Sequence, residues 1–217
     1  MDILSYKLGK NASGGGGGTG DIDWSAIGYT GTPQSIIDGY NYAKGIQQNW
    51  TQKDNLFRQY YQDYKLLFFP SVNTSNTTNF ASMFENSSLV ETALFDTSKG
   101  DSFGSMFSEC KSLKKVPQFD LSNATGCAYM FSNCKGLEEV PIFNLPKATS
   151  LSGMFLTCNN LSDKSLNNIM ASCITATSLS SSNKKLSYIG INSTQATRCQ
   201  SLSNYQAFLN AGWTTGY

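Results

Sequence analysis

The chain has 217 residues, of which only 14% are charged, and its formal net charge is +1. This balance argues against a basic surface for nucleic acid and against an acidic tail for a basic partner. No segment approaches the roughly 18 consecutive apolar residues that a membrane-spanning helix needs, so no membrane insertion is expected. The length suits one domain with terminal caps.

Residues 1–20 are predicted to be a flexible N-terminal segment, because Ser13–Gly20 is almost entirely glycine and has the composition of a linker. Residues 1–10 carry a few apolar side chains and could form a short helix that docks on a sister subunit or a virion partner. A terminus without a role is the alternative. The same residues have no apolar core long enough for a secretory signal. We therefore expect that a leader has been removed or that the protein reaches its place without one.

Residues 21–65 are predicted to form a helical N-terminal cap. Thr32 and Pro33 suit the N-cap and the first turn of a helix, and apolar residues from Ile36 to Ile46 follow helical spacing. A second, shorter helix is expected over residues 53–64. These helices would cover the first repeat, because the ends of a stacked array need caps.

The pair Met-Phe recurs along the next segment, residues 66–161. It begins at Met83, Met106, Met130 and Met154, which are 23, 24 and 24 residues apart. A fixed interval of this size is typical of a solenoid, in which each repeat is one coil stacked on the next. We therefore predict an α+β solenoid of about five short coils.

Several columns of apolar residues follow the same interval, and stacked coils would bury them against one another. These columns are Phe84, Phe107, Phe131 and Phe155; Val90, Leu113, Leu137 and Leu161; Ala93, Val116 and Val140; and Phe95, Phe119 and Phe143. The first full repeat is one residue short, and a tightened turn is expected near Leu94. The segments LKKVPQF and LEEVPIF are predicted to be short strands, and the Met-Phe segments to be the compact helical or 3₁₀ side. A polar column should mark a corner of each coil, because Asx side chains favour turns. This column comprises Asn73, Asp96, Asp120 and Asn144.

Charged residues form a further pattern on the predicted strands. The candidate exposed ladder comprises Glu91, Lys114, Lys115, Glu138 and Glu139. Glu91, Lys114 and Glu138 are assigned to one column, and Lys115 lies beside Glu139. Stacked strands are about 4.8 Å apart, so opposite charges would pair across them. A solvated charged face is the main interpretation, and a binding role is the alternative.

The six cysteines are predicted to be free, buried thiols rather than a disulfide framework or a metal site. Cys110, Cys134 and Cys158 share one column with Ser87, and Cys127 replaces a Phe or Leu. Cysteine packs as a small hydrophobe. A zinc site would need closer ligand spacing, and the chain has no histidine. No metal and no cofactor are expected.

Residues 162–217 are predicted to form a strand-helix C-terminal cap. A helix is expected over residues 162–176, capped by Ser162 or Asp163, and a strand over 184–191. A second helix is expected over 193–212, with Ser193 as N-cap and Gly212 just after its end.

The pattern MFxxCxxLxxVPxF, carried by residues 106–119 and 130–143, resembles the BspA-like leucine-rich-repeat family in its Met-Phe-rich variant from bacterial surface proteins. The resemblance covers roughly residues 68–161. It implies adhesion or recognition of proteins and cell-surface components without catalysis, and it assigns no binding residues. The two ends of the chain resemble small repeat proteins encoded by phages and prophages of gut bacteria, which implies a virion or tail role.

Two non-catalytic functions are therefore expected. The first is a binding module that presents a repeat surface to a protein or cell-surface glycan, for which Tyr129, placed between core columns, is one candidate contact. The alternative is a structural virion component, a tail or head decoration, anchored by residues 1–10. An enzyme is not expected, because the chain has neither a nucleophile-elbow motif nor a phosphate loop. The expected location is a virion or the extracellular surface.

Overall fold

The computed structural model describes residues 68–69, 74–92 and 94–217. The predicted flexible segment 1–20 and the predicted helical cap 21–65 lie outside these residues, as do Asn73 and Ala93. The described elements are β1 (Phe68–Phe69), β2 (Glu91–Thr92), α1 (Asp163–Thr175), a 3₁₀ turn (Ser181–Asn183), α2 (Ser193–Cys199) and α3 (Tyr205–Asn210). Strands β1 and β2 pair in parallel, with Phe68 opposite Glu91. Within the described part of the chain, no helix is long and apolar enough to cross a bilayer.

The Met-Phe segments of consecutive repeats are joined by hydrogen bonds between their backbones. The N–H of Phe107 donates to the carbonyl of Met130 at 2.8 Å, and the N–H of Phe131 donates to the carbonyl of Met154 at 2.9 Å. The intervening N–H groups close turns within their own repeat, as Cys110 does onto Phe107 at 3.1 Å. Equivalent residues of neighbouring repeats are therefore adjacent in space.

This alternation explains why the Met-Phe segment is not the helical or 3₁₀ side that the sequence predicted. Every second N–H leaves the repeat, so a continuous helical ladder cannot form. The backbone instead alternates into the left-handed region, with φ of +58° at Tyr129 and +59° at Asn133. The predicted strands are also shorter than expected, since Lys115 and Glu139 form only an isolated parallel bridge.

The core is a stack of aromatic rings. Ring centroids are 5.1 Å apart for Phe84 and Phe107, 5.6 Å for Phe107 and Phe131, and 5.5 Å for Phe131 and Phe155. All four rings are buried, which confirms the prediction that this column is contiguous. Burial of each ring contributes about 1.5–3 kcal/mol, and each ring pair adds about 0.5–1.5 kcal/mol. One repeat alone has no partner surface for these rings.

The first full repeat accommodates its missing residue at Ser88, and the prediction near Leu94 is wrong. Leu89 is fully buried, whereas Val90 is only half-buried. The N–H of Lys114 donates to the carbonyl of Val90 at 2.9 Å. Leu89 therefore occupies the buried leucine column to which Val90 was assigned. A turn shortened at Ser88 keeps that column in register, which a deletion further along the repeat would not.

The same shift corrects the next column. Thr92, only 6% exposed, stands at the 24-residue interval from Val116, the place that was assigned to Ala93. The polar corner is confirmed at Asp96 and Asp120, whereas Asn144 cannot form the same bond because Pro146, two residues later, has no N–H. The carboxylates of Asp96 and Asp120 each accept a 2.9 Å hydrogen bond from the N–H two residues later.

Helix α1 lies along the strand-like edge of the last full repeat. It begins where predicted, since the Ser162 side chain accepts a hydrogen bond from the N–H of Ser165. Its small polar side chains then accept from N–H groups of that repeat. The pairs are Ser165 Oγ with Val140 N at 2.9 Å, Ser172 Oγ with Phe143 N at 2.8 Å, and Thr175 Oγ1 with Leu145 N at 2.8 Å. The helix thus supplies hydrogen-bond acceptors to the backbone N–H groups at this edge, which would otherwise pair with a further repeat.

The long helix predicted over residues 193–212 is instead two helices, α2 and α3. Asn192 rather than Ser193 is the N-cap of α2, and it forms a capping box with Gln195. The break follows because Asn167 of α1 accepts the N–H of Asn204 at 2.9 Å, so that N–H is lost to the helical ladder. Gly212 follows the end of α3 with φ of +81°, as predicted.

The strand predicted over residues 184–191 is wrong, because this segment consists mainly of turns. Its carbonyls take the place of the next repeat on the Met-Phe side. The N–H of Gly153 donates to the carbonyl of Tyr188, and the N–H of Phe155 donates to that of Ile189, both at 2.8 Å. Turns therefore direct these two carbonyls towards the N–H groups of Gly153 and Phe155, and no strand is needed.

Candidate recognition surface

The predicted charged ladder lies on the surface, with its pairing shifted from the prediction. Lys114 Nζ lies 2.8 Å from Glu138 Oε1, and Lys115 Nζ lies 3.3 Å from Glu91 Oε2. Glu91 therefore pairs with Lys115 instead of Lys114, because the shortened turn upstream displaces it by one position. Glu139 is the bridge partner of Lys115.

These ion pairs define register more than stability. The side chains of Lys114 and Glu138 are 54% and 53% exposed, and such exposed pairs contribute only about 0.2–1 kcal/mol. The Lys115–Glu91 pair differs in that the Glu91 side chain is only 15% exposed. The ladder is thus a row of charged side chains along three repeats, with glutamate in the first, lysine in the second and glutamate in the third. We refer to this row as the polar border.

Beside this border runs a column of outward-facing residues that the sequence analysis did not single out: Leu94, Gln118 and Ile142. Leu94 is 61% exposed and Ile142 is 45% exposed. The Gln118 side-chain amide donates to the carbonyl of Ile142 and so links two repeats. A single exposed apolar residue is ordinary, but here two occupy equivalent places on either side of Gln118. The 24-residue interval and the position just before a buried phenylalanine could have identified it.

Two open grooves flank Gln118. One, of about 350 Å³, lies between the repeat and α1, and its lining includes Val116, Glu139, Ile142, Lys164 and Asn168. The other, of about 480 Å³, is lined by Leu94, Phe95, Asp96, Thr97, Ser98, Gln118 and Asp120. Both are lined by apolar and polar side chains in comparable proportion. We call this surface, with the column Leu94–Gln118–Ile142 and its two ion pairs, the ladder face.

All six cysteines are free and buried, which confirms the prediction. In one column each thiol also donates to a phenylalanine carbonyl of the preceding repeat, a role that the sequence analysis missed. The pairs are Cys110 with Phe84 at 3.0 Å, Cys134 with Phe107 at 3.0 Å and Cys158 with Phe131 at 2.9 Å. Burial raises the pKa of Cys110 to about 11 and that of Cys158 to about 12. A neutral thiol is a poor nucleophile, so this column performs a structural role.

Among the residues that the structure describes, no group of three or more His, Cys, Asp or Glu side chains could hold a metal ion. The ladder face offers hydrogen-bonding groups, apolar contacts and fixed charges. These are the components of recognition.

Comparison with known proteins gives one family match. A family model described as "Mycoplasma protein of unknown function, DUF285" matches residues 52–169. Neither the curated proteins nor the solved structures contain a significant match.

Proposed function

We propose that this chain, which belongs to the DUF285 family because the family model covers more than half of it, is a non-catalytic binding module that recognises a protein partner through the ladder face. We propose further that its repeats form a leucine-rich-repeat solenoid of the BspA-like, Met-Phe-x-x-Cys type. The stacked phenylalanines and the thiol-to-carbonyl bonds between repeats support this assignment.

The observation that carries the functional proposal is the exposed column of the ladder face. Leu94 and Ile142 are largely exposed although the adjacent phenylalanines are buried. Burying either side chain against a partner would contribute about 1.5–3 kcal/mol. The grooves on both sides of Gln118 give a partner room to insert its own side chains.

The charges of the ladder face would add specificity. Lys114 and Lys115 alternate with Glu91 and Glu138 across the repeats. A partner with the complementary order of charges would be favoured, and one with the opposite order would meet like charges. Electrostatic matching of this kind affects partner choice and association rate more than affinity.

The test compares two substitutions at exposed leucines. Leu94→Asp places a charge in the column, and Leu209→Asp is the matched control on α3, where the side chain is 36% exposed. Binding of the full chain to intact bacterial cells and to purified cell-surface proteins is measured by titration. We expect Leu94→Asp to weaken binding at least about tenfold, equivalent to about 1.4 kcal/mol, and the control to bind like the wild type.

Equal binding by both variants would refute the ladder face as the recognition surface. Failure of the wild type to bind any cell or surface protein would refute the binding function itself. Recovery of that non-binding protein in purified phage particles would favour the structural virion role, with the N-terminal segment as anchor.

A further inference from the structure

We infer a second binding site, for a pyranose ring of a glycan, at Tyr129 on the Met-Phe side of the repeats. It lies in a different segment of the repeat from the ladder face and does not depend on the function proposed for that face. Three observations lead to it: the backbone conformation of Tyr129, the seat beneath its ring and the polar side chains four residues further along the repeats.

The backbone of Tyr129 is in the left-handed region, with φ of +58°. The equivalent positions of other repeats, Ser82, Ser105 and Gly153, have φ of +56°, +56° and +59°. Those are residues with small side chains, whereas a bulky side chain in this region is a true outlier. The tyrosine is not part of the core, because it is 45% exposed. Strain of this kind is found at functional positions.

Gly153 provides the seat for the Tyr129 ring. A Cβ atom at Gly153 would lie 2.5 Å from Cε1 and 2.7 Å from Cδ1 of Tyr129. The ring therefore rests where the serine side chain of an earlier repeat would be. Two departures from the repeat pattern, tyrosine at one position and glycine at the next equivalent one, together produce a supported aromatic side chain that is 45% exposed.

A row of polar side chains lies four residues further along the same repeats. The Asn133 amide donates to Glu109 Oε1 at 2.7 Å, and the Thr157 hydroxyl donates to Asn133 Oδ1. These three residues hold a carboxylate, an amide and a hydroxyl in a fixed order, and the Glu109 carboxylate also pairs with Lys111 at 3.2 Å. They too have left-handed backbones, with φ between +59° and +65°, and so mark the same corner of each repeat.

This combination matches the chemistry of a pyranose. One face of the sugar ring presents C–H groups that pack on an aromatic ring, and its rim carries hydroxyls that bond to carboxylates and amides. Sites for small polar ligands combine apolar surface with a few well-placed polar groups in this way.

The experiment uses serine, the residue that two other repeats carry at this position. Tyr129→Ser removes the ring, and Gly153→Ser places a Cβ where the ring sits. Both should fold, because Ser82 and Ser105 occupy the same backbone conformation. The full chain is screened on an array of bacterial and animal oligosaccharides. Any hit is titrated by calorimetry and examined by saturation-transfer NMR for contact with tyrosine ring protons.

We expect the wild type to bind a pyranose-containing glycan and both serine variants to bind it at least about tenfold more weakly, or about 1.4 kcal/mol. Leu94→Asp should retain full glycan affinity. The proposal is overturned if the wild type binds no glycan on the array, if Tyr129→Ser binds as the wild type does, or if Leu94→Asp abolishes the same binding. The last result would place the glycan on the ladder face.

Discussion

Replacing Ser172 of α1 by alanine tests how the last repeat is closed. The Ser172 hydroxyl accepts from the N–H of Phe143 at 2.8 Å and donates to the carbonyl of Asn168 at 2.8 Å. The serine is only 5% exposed. Ser172→Ala therefore leaves the buried N–H of Phe143 without its acceptor.

Two opposing effects set the magnitude. An unpaired buried donor costs about 1–3 kcal/mol. Alanine has a higher helix propensity than serine, which returns about 0.5 kcal/mol. We expect a net loss of about 0.5–2.5 kcal/mol. With a urea m-value of about 2 kcal/mol/M for a chain of this size, the unfolding midpoint should fall by about 0.25–1.25 M.

The assay is urea unfolding followed by fluorescence, to which the buried Trp213 contributes, together with amide hydrogen exchange at Phe143. Ser193→Ala in α2 is the control, because Ser193 is exposed and surface changes usually stay within about 0.5 kcal/mol. A Ser172→Ala midpoint equal to that of the control, with unchanged exchange at Phe143, would show that the hydroxyl does not close this edge.

Three further predictions concern the core and the surface charges. Phe131→Ala, at the centre of the ring stack, should cost about 3–5 kcal/mol in urea unfolding; a loss below about 1 kcal/mol would contradict the stacked packing. Burial raises the pKa of Cys158 from its ordinary 9.0 to about 12. The stability gained by keeping this thiol neutral should therefore be complete below pH 9 and lost as the pH rises towards 12. In urea titrations across that range, the free energy of unfolding of the wild type should fall more steeply with pH than that of a Cys158→Ala variant. Equal slopes would show that the thiol is already ionised in the folded state. A double-mutant cycle on Lys114 and Glu138 should give a coupling below about 1 kcal/mol that disappears in 1 M salt, and a salt-insensitive coupling would argue against an exposed pair.

The sequence alone predicted which residues of neighbouring repeats would be in contact, because the interval between equivalent residues is almost constant. The contacts among Phe107, Phe131 and Phe155 and the burial of the cysteines were predicted in this way. The method failed where the interval changed. The missing residue of the first full repeat could be placed at either of two turns, and only the burial of Leu89 instead of Val90 shows which one was shortened.

The C-terminal cap was less predictable because its structure depends on tertiary hydrogen bonds. The segment 184–191 was predicted to be a strand. It forms turns instead, and its carbonyls accept hydrogen bonds from the N–H groups of Gly153 and Phe155. The division of α2 from α3 follows from the bond between Asn167 and Asn204, which connects residues far apart in sequence. The column Leu94, Gln118 and Ile142 follows the repeat interval in the sequence. Its exposure could not be predicted, because Leu94 and Ile142 have the same apolar character as the residues of the core columns.

The closing of the last repeat shows why a helix can end a stack of extended backbone. A strand edge presents alternating N–H and carbonyl groups, and a neighbouring strand normally pairs with both. Ser165 does the same with one hydroxyl, which accepts from the N–H of Val140 at 2.9 Å and donates to the carbonyl of Glu138 at 2.8 Å. An apolar helix in this place would leave each buried N–H unpaired at about 1–3 kcal/mol. An uncovered edge would instead be open to pairing with another chain. Hydroxyl side chains on α1 remove both costs, since they stop the array without requiring a further strand.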